Sequence, residues 1–176
     1  MYLSEISNLP QKALKNLEGE VAHIKIYLVQ DFSLSLLKRM VNFGLNIFGE
    51  TGMDEWGLVP QIRHGNVFLL KQDDKKIIGI AILMRDWEDI AKAYLIDYAI
   101  AEQFQGQGLG YHFLVEICKN LKEQGFERVG LTVDPENIGA VKLYKDKLGF
   151  KVAEMRENEY GKGHNRLIMR LDLTAD

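Results

Sequence analysis

Two clusters in the sequence combine residue types that do chemistry. The first, Gln105-Gly106-Gln107-Gly108-Leu109-Gly110, gathers three of the chain's sixteen glycines. Glycine accepts positive φ and lets the backbone approach a ligand closely. The free N–H groups and positive dipole end of a following helix favour a phosphate. A tight strand-to-helix turn accounts for the same glycines equally well. Two nucleotide motifs are excluded: a dinucleotide fingerprint on Gly106 and Gly108 fails at Tyr111, and no Gly-Lys-Ser/Thr triplet follows for a P-loop. The second cluster is Asn137 and Tyr144, seven residues apart on one expected helix and so on one face, about 10.5 Å apart along its axis. Alone, such a Tyr reads as a core residue and such an Asn as a helix cap. Asp97 is the one acid inside an expected strand, between Ile96 and Tyr98, and a buried charge there needs a reason. An ion pair to a neighbouring strand is the plain one.

The elements that must position these residues follow from periodicity. Residues 1–20 are polar with scattered Leu and Ile and read as a loose arm or short helix. Residues 23–29 alternate as a strand. Asp31 or Ser33 then caps a helix with Leu34, Leu37, Val41, Leu45 and Phe48 as its apolar stripe. A loop over 49–56 precedes a short second helix up to Arg63. Residues 67–71 and 77–84 form a hairpin across Asp73-Asp74-Lys75, and a turn at 86–89 leads to a strand over 94–100. From there strand and helix alternate. A helix over 108–124 buries Leu109, Phe113, Leu114, Ile117, Cys118 and Leu121 and stops at Gly125. A strand over 128–133 follows, then a helix over 137–148 ending at Gly149. Two last strands, 150–157 and 167–173, turn across Gly161-Lys162-Gly163. This order is that of an α/β chain (α+β in its antiparallel first half), a mixed sheet flanked by helices.

At 176 residues the chain is expected to be one domain, 1–176, with 1–20 as its N-terminal arm. Twenty-two Lys and Arg against 25 Asp and Glu give a net charge of −3, which argues against a nucleic-acid or anionic-membrane partner. No apolar run is long enough to span a membrane. The N-terminus lacks a signal pattern, and the single Cys118 excludes an internal disulfide, so a cytoplasmic location is expected. His23, His64, His112 and His164 are scattered without ligand spacing, so no metal is expected. Cys118, on the apolar stripe of its helix, reads as core.

Together the two clusters resemble the GNAT superfamily of acyl-CoA-dependent N-acetyltransferases. Gln/Arg-x-x-Gly-x-Gly/Ala after a strand is matched by Gln105, Gly108 and Gly110. Strand, Asn, Ala-x-x-Leu-Tyr and Leu-Gly-Phe are matched by Asn137, Ala140, Leu143, Tyr144 and the triplet Leu148-Gly149-Phe150. The resemblance covers residues 77–173. It implies a central, mostly antiparallel sheet splayed between its fourth strand (94–100) and its fifth (128–133), with acetyl-CoA as co-substrate. It further implies that backbone groups near Tyr98, Ala99 and Ile100 hold the pantetheine arm and polarise the thioester. Amides from Gly106, Gln107, Gly108, Leu109 and Gly110 through Tyr111 would cradle the pyrophosphate. Asn137 would contact the cofactor arm, and Tyr144 would sit near the sulfur as general acid.

The chemistry requires such roles independently. An amine attacking a thioester expels a thiolate, which a phenol can protonate, a role typically worth about 10²–10⁴-fold. The developing oxyanion wants fixed N–H donors. For a lysine-like amine, losing its proton at pH 7 costs about 4.6 kcal/mol, so a base is expected. Family members with an assigned base often carry Glu where this chain has Tyr94 and Thr132; Asp97 is the candidate that remains. Gln105 and Gln107 stand where Arg is common, leaving the phosphates to uncharged amides. Glu50, Asp54, Glu55 and Trp56 lie where the superfamily builds its acceptor site, although a solvated turn explains them more simply, as it does for Asp86, Trp87, Glu88 and Asp89. The expected reaction is acetyl transfer to a primary amine, on a small molecule or a peptide, in a ternary complex. Protein lysine or N-terminal acetylation, or a non-catalytic acyl-CoA sensor, are the alternatives, and the oligomeric state, a homodimer included, stays open.

Overall fold

The computed structural model describes residues 1–9, 23–73 and 75–175. The part of the expected arm beyond Leu9 therefore lies outside the described residues. Its beginning is neither loose nor helical: Leu3–Asn8 is a strand, β1, antiparallel to β2 at Ile24–Val29. The remaining elements are α1 (Leu34–Phe48), α2 (Glu55–His64), β3 (Asn66–Gln72), β4 (Lys76–Arg85), β5 (Lys92–Ile100), α3 (Leu109–Glu123), β6 (Arg128–Val133), α4 (Ile138–Lys142), β7 (Lys151–Arg156) and β8 (Arg166–Asp172). The expected fourth and fifth strands are thus β5 and β6 of an eight-stranded mixed sheet. No helix among the described residues is long and apolar enough to cross a membrane.

The chain divides into two compact units. The first comprises Met1–Met84 and Asp97–Ile117, the second Arg85–Ile96 and Cys118–Asp176. In the first, β1 to β4 are neighbours in chain order and pair antiparallel. Phe68, Leu69, Leu70, Ile78 and Ala81 are fully buried, because β3 and β4 are covered on both faces and read as continuous apolar runs. Ser33 caps α1 by accepting the Leu36 N–H at 3.2 Å. The buried face of α1 is Leu36, Leu37, Met40 and Val41, so Leu37 and Val41 of the expected stripe are buried while Leu34, 73% exposed, and Leu45 are not. Apolar residues ring most of this helix, so packing rather than period selected the inward face.

In the second unit β6 stands between β5 and β8, and β7 pairs only with β8. The β6–β8 and β7–β8 ladders are antiparallel. The β5–β6 ladder is parallel and short: it runs from Lys92 opposite Arg128 to Leu95 opposite Leu131 and stops. Residues 96–100 of β5 lie outside it. Val129, Leu131, Phe150 and Met169 form the centre of this unit's core. All six stripe residues predicted for α3 are buried.

Candidate active site

In the first unit β5 runs into the glycine loop and then α3. Gln105 ties the loop to the strand, its Nε2 donating to the Ile100 carbonyl at 2.8 Å. Gly106 and Gly108 both adopt left-handed backbone, with φ of 75° and 80°. A side chain at either would be strained for the backbone's sake alone, although neither lacks space. The hydrogen bonds around the loop are donated by the amides of Phe104 and Gln105 before it and of His112 after it. Among the described residues, no protein carbonyl accepts from the amides of residues 106–111. A run of unclaimed donors opening a helix suits an anion. Tyr98 packs its ring 5.7 Å from that of Phe113 and donates its hydroxyl to the Gly110 carbonyl, which anchors the first turn of α3 to β5. Gln107 donates to the Gln103 carbonyl at 3.2 Å, while its Oε1 is a buried acceptor without a partner. Ala99 and Ile100 are buried at the end of β5.

Asp97 belongs to the same stretch. Strand alternation puts it on the face of Leu95 and Ala99, opposite Tyr94, Ile96 and Tyr98. The ion pair expected as its plain explanation is absent among the described residues. Burial alone pushes its carboxyl above the ordinary range.

The second unit carries the other cluster. Asn137 is exposed and caps α4, its Oδ1 accepting from the Ala140 N–H at 3.1 Å. α4 is regular only to Lys142; Leu143–Lys147 widen into a π-turn. The helix expected over 137–148 is therefore α-helical only in its first half, and Tyr144 lies in the widened part. Tyr144 is buried with its ring 5.7 Å from that of Phe150, and burial pushes its phenol up to about 12. The hydroxyl has no protein partner among the described residues. A protonated phenol with a free hydroxyl has the form a general acid needs.

The two positions that lack the expected carboxylate are joined. Tyr94 of β5 and Thr132 of β6 place their oxygens 3.1 Å apart, and Thr132 is 3.4 Å from the hydroxyl of Tyr160 in the β7–β8 turn. Sequence reading noted Tyr94 and Thr132 singly and missed Tyr160, because nothing local marks a contact across 28 residues. The acidic segments take structural roles. Asp54 caps α2 through the Gly57 N–H at 2.9 Å, and Trp56 is 88% exposed. Asp86 pairs with Lys92 at 2.7 Å and holds the turn through the amides of Glu88 and Asp89. Cys118 is buried, its thiol raised by that burial to about 12, which removes it as a nucleophile.

Comparison with known proteins bears on the family and the fold. Residues 37–150 match the model of the acetyltransferase (GNAT) family, which takes in the glycine loop, α4 and Tyr144. A [ribosomal protein bS18]-alanine N-acetyltransferase of Salmonella typhimurium is 30% identical over 115 residues, 64% of this chain and 74% of that protein. The crystal structure of the ribosomal-protein-S18-alanine N-acetyltransferase from Escherichia coli superposes with a TM-score of 0.69 at 22% identity, covering 86% of this chain and 96% of that one. Arabidopsis thaliana Naa50, in complex with the bisubstrate analogue CoA-Ac-MVNAL, gives a TM-score of 0.67 at 15% identity over 83% of this chain and 97% of its own.

Proposed function

The chain belongs to the acetyltransferase (GNAT) family and is an acetyl-CoA-dependent N-acetyltransferase; from that premise we propose that its acceptor is the α-amino group of a polypeptide, a ribosomal protein being the substrate class. The similarity to the bS18-alanine enzyme carries this reading. Physical chemistry supports it. An α-amino group with a pKa near 7.8 is freed of its proton at pH 7 for about 1 kcal/mol, against about 4.6 for a lysine. A chain with hydroxyls at Tyr94 and Thr132 suits the amine that demands less of a base. Membership of an enzyme family replaces the non-catalytic sensor alternative.

Bound acetyl-CoA supplies an activated acyl thioester. The amides of residues 106–111 fit its pyrophosphate, since they are donors with no protein acceptor at the start of α3. Backbone groups of Tyr98, Ala99 and Ile100 hold the pantetheine arm and direct an N–H at the developing oxyanion. Gln105 keeps the loop against β5, and Asn137 offers its remaining amide hydrogens to the arm. Tyr144 protonates the departing thiolate. Asp97 is the carboxylate available as base on β5.

Release of free coenzyme A thiol across an acceptor panel tests the proposal. The panel holds an alanine-initiated peptide, the same peptide N-blocked with an internal lysine, and a polyamine. The free N-terminus should react at least about 10²-fold faster at pH 7 than either other acceptor, and Tyr144→Phe should cut kcat by about 10²–10⁴-fold with coenzyme A affinity unchanged. Preference for the blocked peptide or the polyamine would overturn the acceptor class. Full turnover by Tyr144→Phe would remove it as the acid.

A further inference from the structure

The β5–β6 ladder ends at Leu95 and Leu131, and the next β6 residue, Thr132, turns its hydroxyl to Tyr94 rather than continuing the pairing. Beyond Thr132, Tyr160 reaches solvent at 59% exposure. The three oxygens form an unbroken series from a half-buried phenol to the surface, with steps of 3.1 and 3.4 Å. At both steps either oxygen can donate. A hydroxyl has one hydrogen and two acceptor sites, so such a series can be polarised outward or inward by moving protons alone. No carboxylate or imidazole interrupts it.

The outer end is held in place. The Asn158 side chain accepts from the Gly163 N–H at 2.7 Å, and the Asn165 side chain accepts from the Asn158 N–H at 3.0 Å. These bonds brace the turn around Tyr160. The Arg166 guanidinium lies 4.9 Å from the centre of the Tyr160 ring and pairs with Asp134 at 3.0 Å. Glu159, paired with Arg156 at 3.0 Å, is a further charged group near the series, and His164 accepts from the Tyr160 N–H through its backbone carbonyl. Burial, the largest influence on it, raises the Tyr94 phenol, and the Thr132 hydrogen bond works against that rise. Tyr94 therefore stays neutral at working pH and passes a proton by exchange, not by carrying charge.

We infer that Tyr94, Thr132 and Tyr160 are a proton exit for the acceptor amine, taking the place of the carboxylate base that this chain lacks at Tyr94 and Thr132. The inference rests on the acetyl-transfer reading above. The acceptor ammonium gives a proton to the Tyr94 oxygen, directly or through one water. The Tyr94 proton moves to Thr132, that of Thr132 to Tyr160, and that of Tyr160 to bulk water. The neutral amine then forms the C–N bond as the C–S bond breaks. Its second proton leaves by the same route, while Tyr144 protonates the thiolate and is reprotonated from solvent. One proton is released for each acetyl group moved. Tyr94 is the group that meets the substrate; Thr132 and Tyr160 act through it.

The test is the pH profile of kcat/KM with the preferred acceptor for the wild type, Thr132→Val, Thr132→Ser, Tyr160→Phe and Asp97→Asn. Valine keeps the shape of threonine and removes the oxygen; serine keeps the oxygen. Thr132→Val should fall about 10²-fold below wild type at pH 6.5 and recover as pH passes the acceptor's own pKa, since a neutral amine needs no exit for its first proton. Thr132→Ser should stay within about 3-fold of wild type. Tyr160→Phe, an exposed change that leaves the core alone, should show the same pH-dependent loss, and it serves if Thr132→Val does not fold. A Thr132→Val loss that is equal at every pH, or no loss at all, would overturn the exit. So would removal of the low-pH limb by Asp97→Asn alone. A wild type that transfers acetyl to no amine would instead defeat the underlying reading. That outcome would show in the wild-type arm before any variant is compared.

Discussion

Asp97 and Tyr144 are both ionisable and both poorly solvated, but burial acts on them with opposite consequences. A phenol raised to about 12 remains in the neutral form that burial prefers, so Tyr144 costs the fold nothing in charge at neutral pH. Asp97 is raised by burial and has no bonded partner among the described residues, so the fold favours its acid form more than the unfolded chain does. A group whose folded pKa lies above its unfolded value of 3.8 contributes most to stability below that value, and the contribution is lost as pH rises through the folded pKa. Asp97 therefore weakens the fold at pH 7 relative to pH 3. Asp97→Asn should raise Tm at pH 7 by roughly 2–4 °C, the shift that about 1 kcal/mol makes in a chain of this length. At pH 3 the gain should disappear. Thermal unfolding at the two pH values decides the matter, and an equal gain at both would mean that the charge is not the cause. A carboxylate tolerated at that cost is what a functional group on β5 would look like.

At the scale of elements, the glycine loop works by leaving donors unclaimed, and that is testable without turnover. Gly108→Asp adds a Cβ at φ 80° and a negative charge among amides that await an anion. Coenzyme A affinity measured by calorimetry should fall at least about 30-fold, roughly 2 kcal/mol, with the fold kept because a Cβ there meets no close neighbour. Unchanged affinity would show that the amides are not the cradle. This loop, α3 and β6 were legible in the sequence because each depends on local signals: turn glycines, a clean apolar stripe and a bounded β-branched run. The misread parts depend on something else. Leu3–Asn8 has a weak strand signal of its own and is recruited by pairing with β2. In α1 the apolar residues allow more than one inward face, and tertiary packing chose Leu36, Leu37, Met40 and Val41. The π-turn at Leu143–Lys147 inserts a local widening that no periodicity announces. The hydroxyl series joins β5, β6 and the β7–β8 turn, a juxtaposition that exists only once the chain has folded.

For the whole molecule, the net charge of −3 spoke against a polyanionic partner, yet the co-substrate is multiply phosphorylated. Nucleic acid and coenzyme A differ in how they are held. A polymer needs many charged contacts and releases many counterions, whereas one pyrophosphate can be held by oriented amides within a single turn. Gln105 and Gln107, where the resemblance leads one to expect arginine, leave that grip without a formal positive charge in the loop. Dipoles at contact distance are screened far less than charges across solvent. Affinity for coenzyme A should therefore change by less than about 3-fold between 50 and 500 mM NaCl. Gln105→Arg puts a cation at an exposed position whose side chain can still donate to the Ile100 carbonyl. It should tighten binding by about 3- to 10-fold at 50 mM, roughly 1 kcal/mol, and lose most of that gain at 500 mM. Calorimetric titrations at the two salt concentrations separate the cases. Strong salt dependence in the wild type would place the phosphates on lysines or arginines elsewhere in the chain, and the uncharged loop would then be a turn and no more.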